Sequence, residues 1–198
     1  MQRFQESDIN FTLAPSWVVR KYDDHTFFRG LSGFGLKGVD FIALLPDGRL
    51  GLIEVKNYHP RPDKVNGTVH PIKRKKAADL AKNLDQKYHD TLRAIRVVGR
   101  YYRTKWFYRW RFQLLYPFER LANSDLYFWK EASRRADGPI PVVIILWLET
   151  PKAAKKYRGK IYAYLSSRLE PEEGQLLLGG NGFSPLPGIS AHRINKAK

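Results

Sequence analysis

The chain contains no cysteine among its 198 residues. Disulfides and thiolate metal sites are therefore excluded, and a reducing compartment is the natural setting. Histidine is scarce: His25, His59, His70, His89 and His192 show no paired spacing for a zinc site, so each reads as a surface or capping residue. Long apolar runs are missing as well. The longest, Val142–Leu148, falls far short of a membrane span. The first residues, Met-Gln-Arg-Phe-Gln-Glu-Ser-Asp, lack the charged-then-apolar order of a signal peptide. These absences point to a cytoplasmic protein with no membrane partner. Repeats and nucleotide-cradling glycine loops are also absent.

Acidic residues are outnumbered. Lys and Arg total 35 against 19 Asp and Glu, a formal charge of +16. The excess is local: residues 73–135 hold 17 Lys/Arg against 6 Asp/Glu, whereas residues 1–72 hold 9 against 8. A basic field confined to one segment is the footprint of polyanion binding. An acidic protein or anionic lipid would satisfy the same field. A hydrophobic content of 43% and a charged content of 27% describe a globular chain.

The stretch with chemistry is residues 38–57, GVDFIALLPDGRLGLIEVKN. Two apolar runs, Val39–Leu45 and Leu50–Val55, flank Pro46-Asp47-Gly48 and read as a β-hairpin. Proline first and glycine third fit a three-residue loop, a type I turn closed by a left-handed residue. That loop pairs Leu44 with Leu50, Ile42 with Leu52 and Asp40 with Glu54. Asp40, Glu54 and Lys56 then share one face. A two-residue loop would put the acids on opposite faces. Charges on such strands are costly unless paired or bound to metal. Two carboxylates suit Mg²⁺, which completes its shell with water and phosphate. A nearby lysine can hold, orient or deprotonate a water. An ordinary cross-strand salt bridge is the plainer account of the same three residues.

Asp40 followed by Glu54-Val55-Lys56 after a hairpin resembles the PD-(D/E)XK nuclease superfamily, archaeal Holliday-junction resolvases in particular. Ile53-Glu54-Val55-Lys56-Asn57-Tyr58 is also similar to nuclease-related (NERD) domains. Val39 stands where the superfamily's name has proline. The resemblance implies a restriction-endonuclease-like α/β fold, a mixed central sheet flanked by helices. It implies catalysis by Asp40, Glu54 and Lys56 with Mg²⁺ or Mn²⁺ held by Asp40, Glu54 and the Val55 carbonyl. A third acid is usual in the family; Glu6 is the candidate, with Asp23 and Asp24 as rivals. DNA is the implied substrate, and a homodimer is compatible because many members cut two strands. A fold retained for binding nucleic acid without cleavage is the alternative.

Around the hairpin, Trp17–Tyr22 and Thr26–Leu31 read as strands, the second as the first strand of the central sheet, and residues 1–16 as irregular. Ser32–Gly38 has three glycines and ends near Lys37, a candidate phosphate contact. Tyr58–Pro71 reads as loop, with a small hairpin over Val65–Val69. A helix begins near Lys73, with Leu80, Leu84, Tyr88, Leu92 and Ile95 as its apolar stripe. Lys75, Lys82, Lys87, Arg93 and Arg96 face away from that stripe. This helix is the expected crossover from the Glu54 strand to a parallel neighbour. Lys73, Arg74, Lys75 and Lys76 crowd its N-terminus, where the dipole favours anions, and so form a candidate phosphate site. Residues 101–130 carry twelve of the 27 aromatics, interleaved with Arg103, Lys105 and other cations. This suits base stacking on a single strand, or an inserted pair of helices with the aromatics in the core. The insert spans about residues 100–138, with Ser124 as the N-cap of its second helix. Pro141–Leu148 reads as a central strand and Lys160–Leu165 as an edge strand. One domain is expected over 1–170, and 171–198 reads as a loosely packed tail.

Overall fold

The computed structural model describes residues 1–33, 35–62, 69–70, 75–151, 155–169 and 174–194. In chain order the elements are β1 (Gln2–Glu6), β2 (Ile9–Leu13), β3 (Val18–Lys21), α1 (Thr26–Ser32), β4 (Phe41–Leu44), β5 (Leu50–Asn57), β6 (Arg61–Pro62) and β7 (Val69–His70). There follow α2 (Ala77–Thr104), α3 (Trp106–Leu121), α4 (Asp125–Ala136), β8 (Val142–Glu149), α5 (Lys155–Ser166), β9 (Gly174–Gly179) and β10 (Ile189–Arg193). The architecture is α/β: a five-stranded mixed sheet, ordered β3-β4-β5-β8-β9, with helices packed on it and a three-stranded sheet, β1-β2-β10, beside it. Strands β3, β4 and β5 run antiparallel, and β5, β8 and β9 are parallel.

Alternation along the strands divides the core into two layers. Ile42, Leu44, Leu50, Leu52, Val142, Ile144, Leu146 and Leu148 meet Leu80, Leu84, Tyr88, Phe128, Trp129 and Ile161 from the helices. Phe41, Ala43, Ile53, Val55, Val143, Ile145 and Trp147 meet Ile9, Phe11, Leu13 and Ile189 from the small sheet. Strand β8, buried at every position, is covered on both faces, as its unbroken apolar run predicts. α2 begins the crossover between the parallel strands β5 and β8, and its apolar stripe packs inward as the spacing predicts.

Four expectations are corrected. Residues 1–16 are not irregular: β1 and β2 form a hairpin through Ser7 and Asp8, both at positive φ (52° and 59°), which is a two-residue turn of the type that matches strand twist. Ile9, Phe11 and Leu13 point inward, with Asn10 and Thr12 between them. Thr26–Ser32 is helix α1, not a strand; the His25 ring accepts the Phe27 N–H as its N-cap, and β3 is the strand beside β4. Lys160–Leu165 lies in helix α5, because Ile161 and Leu165, one turn apart, are the buried positions while Tyr162 and Tyr164 are exposed. The edge strand is β9. The supposed tail supplies both β9 and β10, which pair with β8 and β2.

The hairpin over Val65–Val69 lies mostly outside the described residues, although β6 pairs with β7 around it. The insert consists of the last turns of α2, then α3 and α4, with Ser124 capping α4 by accepting the Tyr127 N–H. Its aromatics divide. Phe128 and Trp129 are buried, whereas Trp106, Phe107, Trp110 and Phe118 are exposed, so the expectation that the first helix buries its rings is overturned.

Candidate active site

The hairpin loop fixes the geometry. The Leu45 N–H donates to the Arg49 carbonyl at 3.0 Å, and the Gly48 N–H to Leu45 at 3.2 Å. Gly48 sits at φ 89°, the left-handed residue of a three-residue loop. Leu44 pairs with Leu50 and Ile42 with Leu52. Glu54 therefore follows Leu52 onto the helix-covered face of the sheet, and Asp40, just ahead of β4, lies close enough to Glu54, Lys56 and Lys87 for their charges to act on it. The turn is held from outside by Arg135 of α4, whose guanidinium donates to the carbonyls of Leu45 (2.7 Å) and Arg49 (2.9 Å).

At the open end of the hairpin the ladder stops at the Phe41–Ile53 pair, so the expected Asp40–Glu54 pair is not formed; the Asp40 N–H donates instead to the Ile53 carbonyl at 3.1 Å. The Val39 N–H donates to the Thr91 hydroxyl of α2 (3.1 Å). The Val55 N–H donates to Asp40 Oδ2 at 2.6 Å, so the Asp40 side chain replaces a rung of the ladder. Asp40 is 9% exposed and Glu54 fully buried. Burial, and then the Glu54 charge, push the Asp40 carboxyl up from 3.8 to about 7.

Glu54 is held by two ammonium groups. Lys56 Nζ donates to Oε1 at 2.5 Å, and Lys87 Nζ to Oε1 and Oε2 at 2.7 and 2.9 Å. Burial would lower Lys56, but the Glu54 charge and hydrogen bond, with Asp40 and Glu6 behind them, outweigh it and leave Lys56 raised. Lys56 is therefore an ammonium at neutral pH, suited to positioning rather than to proton abstraction. Lys87 corrects the sequence reading, which placed it on the outward face of α2. It borders the apolar stripe beside Tyr88, and its flexible stem carries the charge inward. The Tyr88 hydroxyl is buried with no hydrogen-bond partner among the described residues. Burial, with the Glu54 and Asp40 charges, raises it well above its ordinary value.

Glu6, at the end of β1, is near enough for its charge to act on Lys56, but its ion pair is with Lys21, whose Nζ is 3.2 Å from Glu6, 3.0 Å from Asp24 and 4.0 Å from Asp23. Among the described residues, no group of three or more His, Asp or Glu side chains is close enough to hold a metal ion. The candidate phosphate contacts also separate. Lys37 is clipped to α2, its N–H donating to Asp90 and its ammonium to Gln86. Lys75 and Lys76 are exposed at the start of α2, while Lys73 and Arg74 lie outside the described residues. Arg103 and Lys105 are exposed at the other end of α2. A helix of 28 residues is about 40 Å long, so these two groups of cations stand far apart, one at each end of α2.

No protein-family model matches this chain, and no curated protein or solved structure does so either. No helix among the described residues is long and apolar enough to cross a membrane.

Proposed function

We propose that this chain is a metal-dependent nuclease of the PD-(D/E)XK type, with a restriction-endonuclease-like fold, hydrolysing phosphodiester bonds, DNA first among them. The observation that carries the reading is the meeting of Asp40, Glu54 and Lys56 at the open end of the hairpin, with Asp40 brought to about 7 by burial and its neighbour. Perturbed acids of this kind concentrate at functional sites.

The donor set fits Mg²⁺ or Mn²⁺. Asp40, Glu54 and the Val55 carbonyl offer hard oxygens, and Mg²⁺ is commonly held by only one or two carboxylates. The orphaned Tyr88 hydroxyl adds a group for an ion's water to bond. When bound, the ion supplies Lewis-acid stabilisation of charge on the phosphate. Lys56, released from Glu54, places its ammonium against the attacking water or the phosphate oxygens. Lys87, bonded to both Glu54 oxygens, holds that carboxylate in place. Cation binding competes with the proton on Asp40, so activity rises with pH through about 7. The cations at either end of α2 position the backbone of the substrate, and two chains acting together would cut both strands.

A second reading has one observation in its favour. Both Glu54 oxygens are already satisfied by Lys56 and Lys87, a closed ion triad that needs no metal. A binding module built this way gives salt-steep affinity for nucleic acid without cleavage. Incubating the pure protein with DNA and RNA, with and without Mg²⁺ or Mn²⁺, separates the two. The nuclease reading requires divalent-dependent cleavage that disappears in Asp40→Ala and Lys56→Ala. Cleavage that survives both substitutions contradicts it.

A further inference from the structure

Helix α3 carries an apolar stripe that no other described residue covers. Trp106, Trp110, Leu114, Pro117 and Leu121 recur at spacings of four, four, three and four, with Phe107 and Phe118 alongside, one continuous face at helical periodicity. Trp106 is 76% exposed, Trp110 58%, Phe118 68% and Leu121 81%. The opposite side of the helix does the packing: Tyr108 and Phe112 lie against the core, and Glu119 is buried and bound by Arg111 at 2.6 Å. Monomeric proteins rarely leave so continuous an apolar surface without a partner for it.

The charges select the partner. Between residues 103 and 121 the charged side chains are Arg103, Lys105, Arg109, Arg111, Glu119 and Arg120. Glu119 is buried, so every exposed charge is a cation. An aromatic and aliphatic stripe bordered by arginines is the composition of a helix that lies in a membrane interface, its apolar face among the acyl chains and its cations on anionic headgroups. Single-stranded nucleic acid fits less well. Leu114, Pro117 and Leu121 offer no ring for a base to stack on, and apart from two indole N–H groups the stripe has no donor or acceptor. A second copy fits less well too, because two-fold pairing of chains that each carry +16 would bring the bordering cations together.

We infer that α3 is a peripheral membrane anchor that seats this chain on anionic lipid surfaces, lying on the bilayer and not crossing it. This stands apart from the nuclease reading, since no residue of the stripe touches Asp40, Glu54 or Lys56.

Flotation of the full chain with phosphatidylcholine vesicles, with and without phosphatidylserine, tests it. Binding should require phosphatidylserine, weaken with salt, and shift tryptophan emission to the blue. Trp110→Ser and Leu114→Lys, both at exposed positions, should lower partitioning by about tenfold or more each while leaving the thermal melt unchanged. Three results overturn the inference: no binding to anionic vesicles, binding that both variants retain, or a dimer in solution that the variants split. So does tryptophan quenching by single-stranded DNA that both variants abolish while vesicles have no effect.

Discussion

Asp40 makes the chain's stability depend on pH in a direction opposite to that of most carboxylates. Its carboxyl is raised from 3.8 to about 7 by burial and by Glu54. Between these two values the folded state holds a proton that the unfolded state has lost, so stability falls as pH rises through this window. At 1.36 kcal/mol per tenfold, the full penalty is at most about 4 kcal/mol, absent below about pH 4 and complete above about pH 7. Asp40→Asn resembles the protonated form and can still accept the Val55 N–H. Urea denaturation of the two proteins should therefore give nearly equal stabilities near pH 4. Near pH 8 the asparagine variant should be the more stable by about 2–4 kcal/mol. Adding Mg²⁺ near pH 8 should close that gap by stabilising only the natural chain. A difference that stays constant across the range would refute the claim that burial and Glu54 act on Asp40 in this way.

Lys87→Met removes the two-pronged partner of a fully buried carboxylate and leaves only Lys56; denaturation should show a loss of about 2–3 kcal/mol. Arg135→Ala strips a partly buried guanidinium from two carbonyls at the hairpin turn and from Glu131, with an expected cost of about 2–3 kcal/mol in the same assay. Gly99→Ala would put a methyl 2.2 Å from Ser133 Oγ. The loss should be about 1–3 kcal/mol, largely recovered by adding Ser133→Gly.

The hairpin is legible because its turn chemistry is specific: proline and glycine at fixed positions set the register from Leu44–Leu50 to Phe41–Ile53 and so the face of Glu54, whereas the end of the ladder at Asp40, where a side chain takes the Val55 N–H, leaves no such mark in the sequence. Strand β8 and the inner stripe of α2 were legible because an unbroken apolar run and a helical repeat are strong patterns. Lys87 was not, since a lysine's position on a helix wheel does not say where a four-carbon stem takes its charge. α5 misled because Ile161-Tyr162-Ala163-Tyr164-Leu165 alternates like a strand, while the burial that decides the matter follows the helical spacing of Ile161 and Leu165. The first hairpin was hidden by a Ser-Asp turn without glycine. α3 was misjudged because aromatic residues at helical spacing usually mark a core face. Here the widest apolar face, from Trp106 to Leu121, points outward, and only the three-dimensional packing of Tyr108, Phe112 and Glu119 reveals it.

Whether Asp40 and Glu54 hold a divalent ion is best measured by calorimetric titration of Mn²⁺ into the natural chain and into Asp40→Asn and Glu54→Gln, above and below pH 7. The account predicts one ion per natural chain, bound more tightly at the higher pH, and no binding by either variant. Binding that both variants keep, or none by the natural chain at either pH, would contradict it.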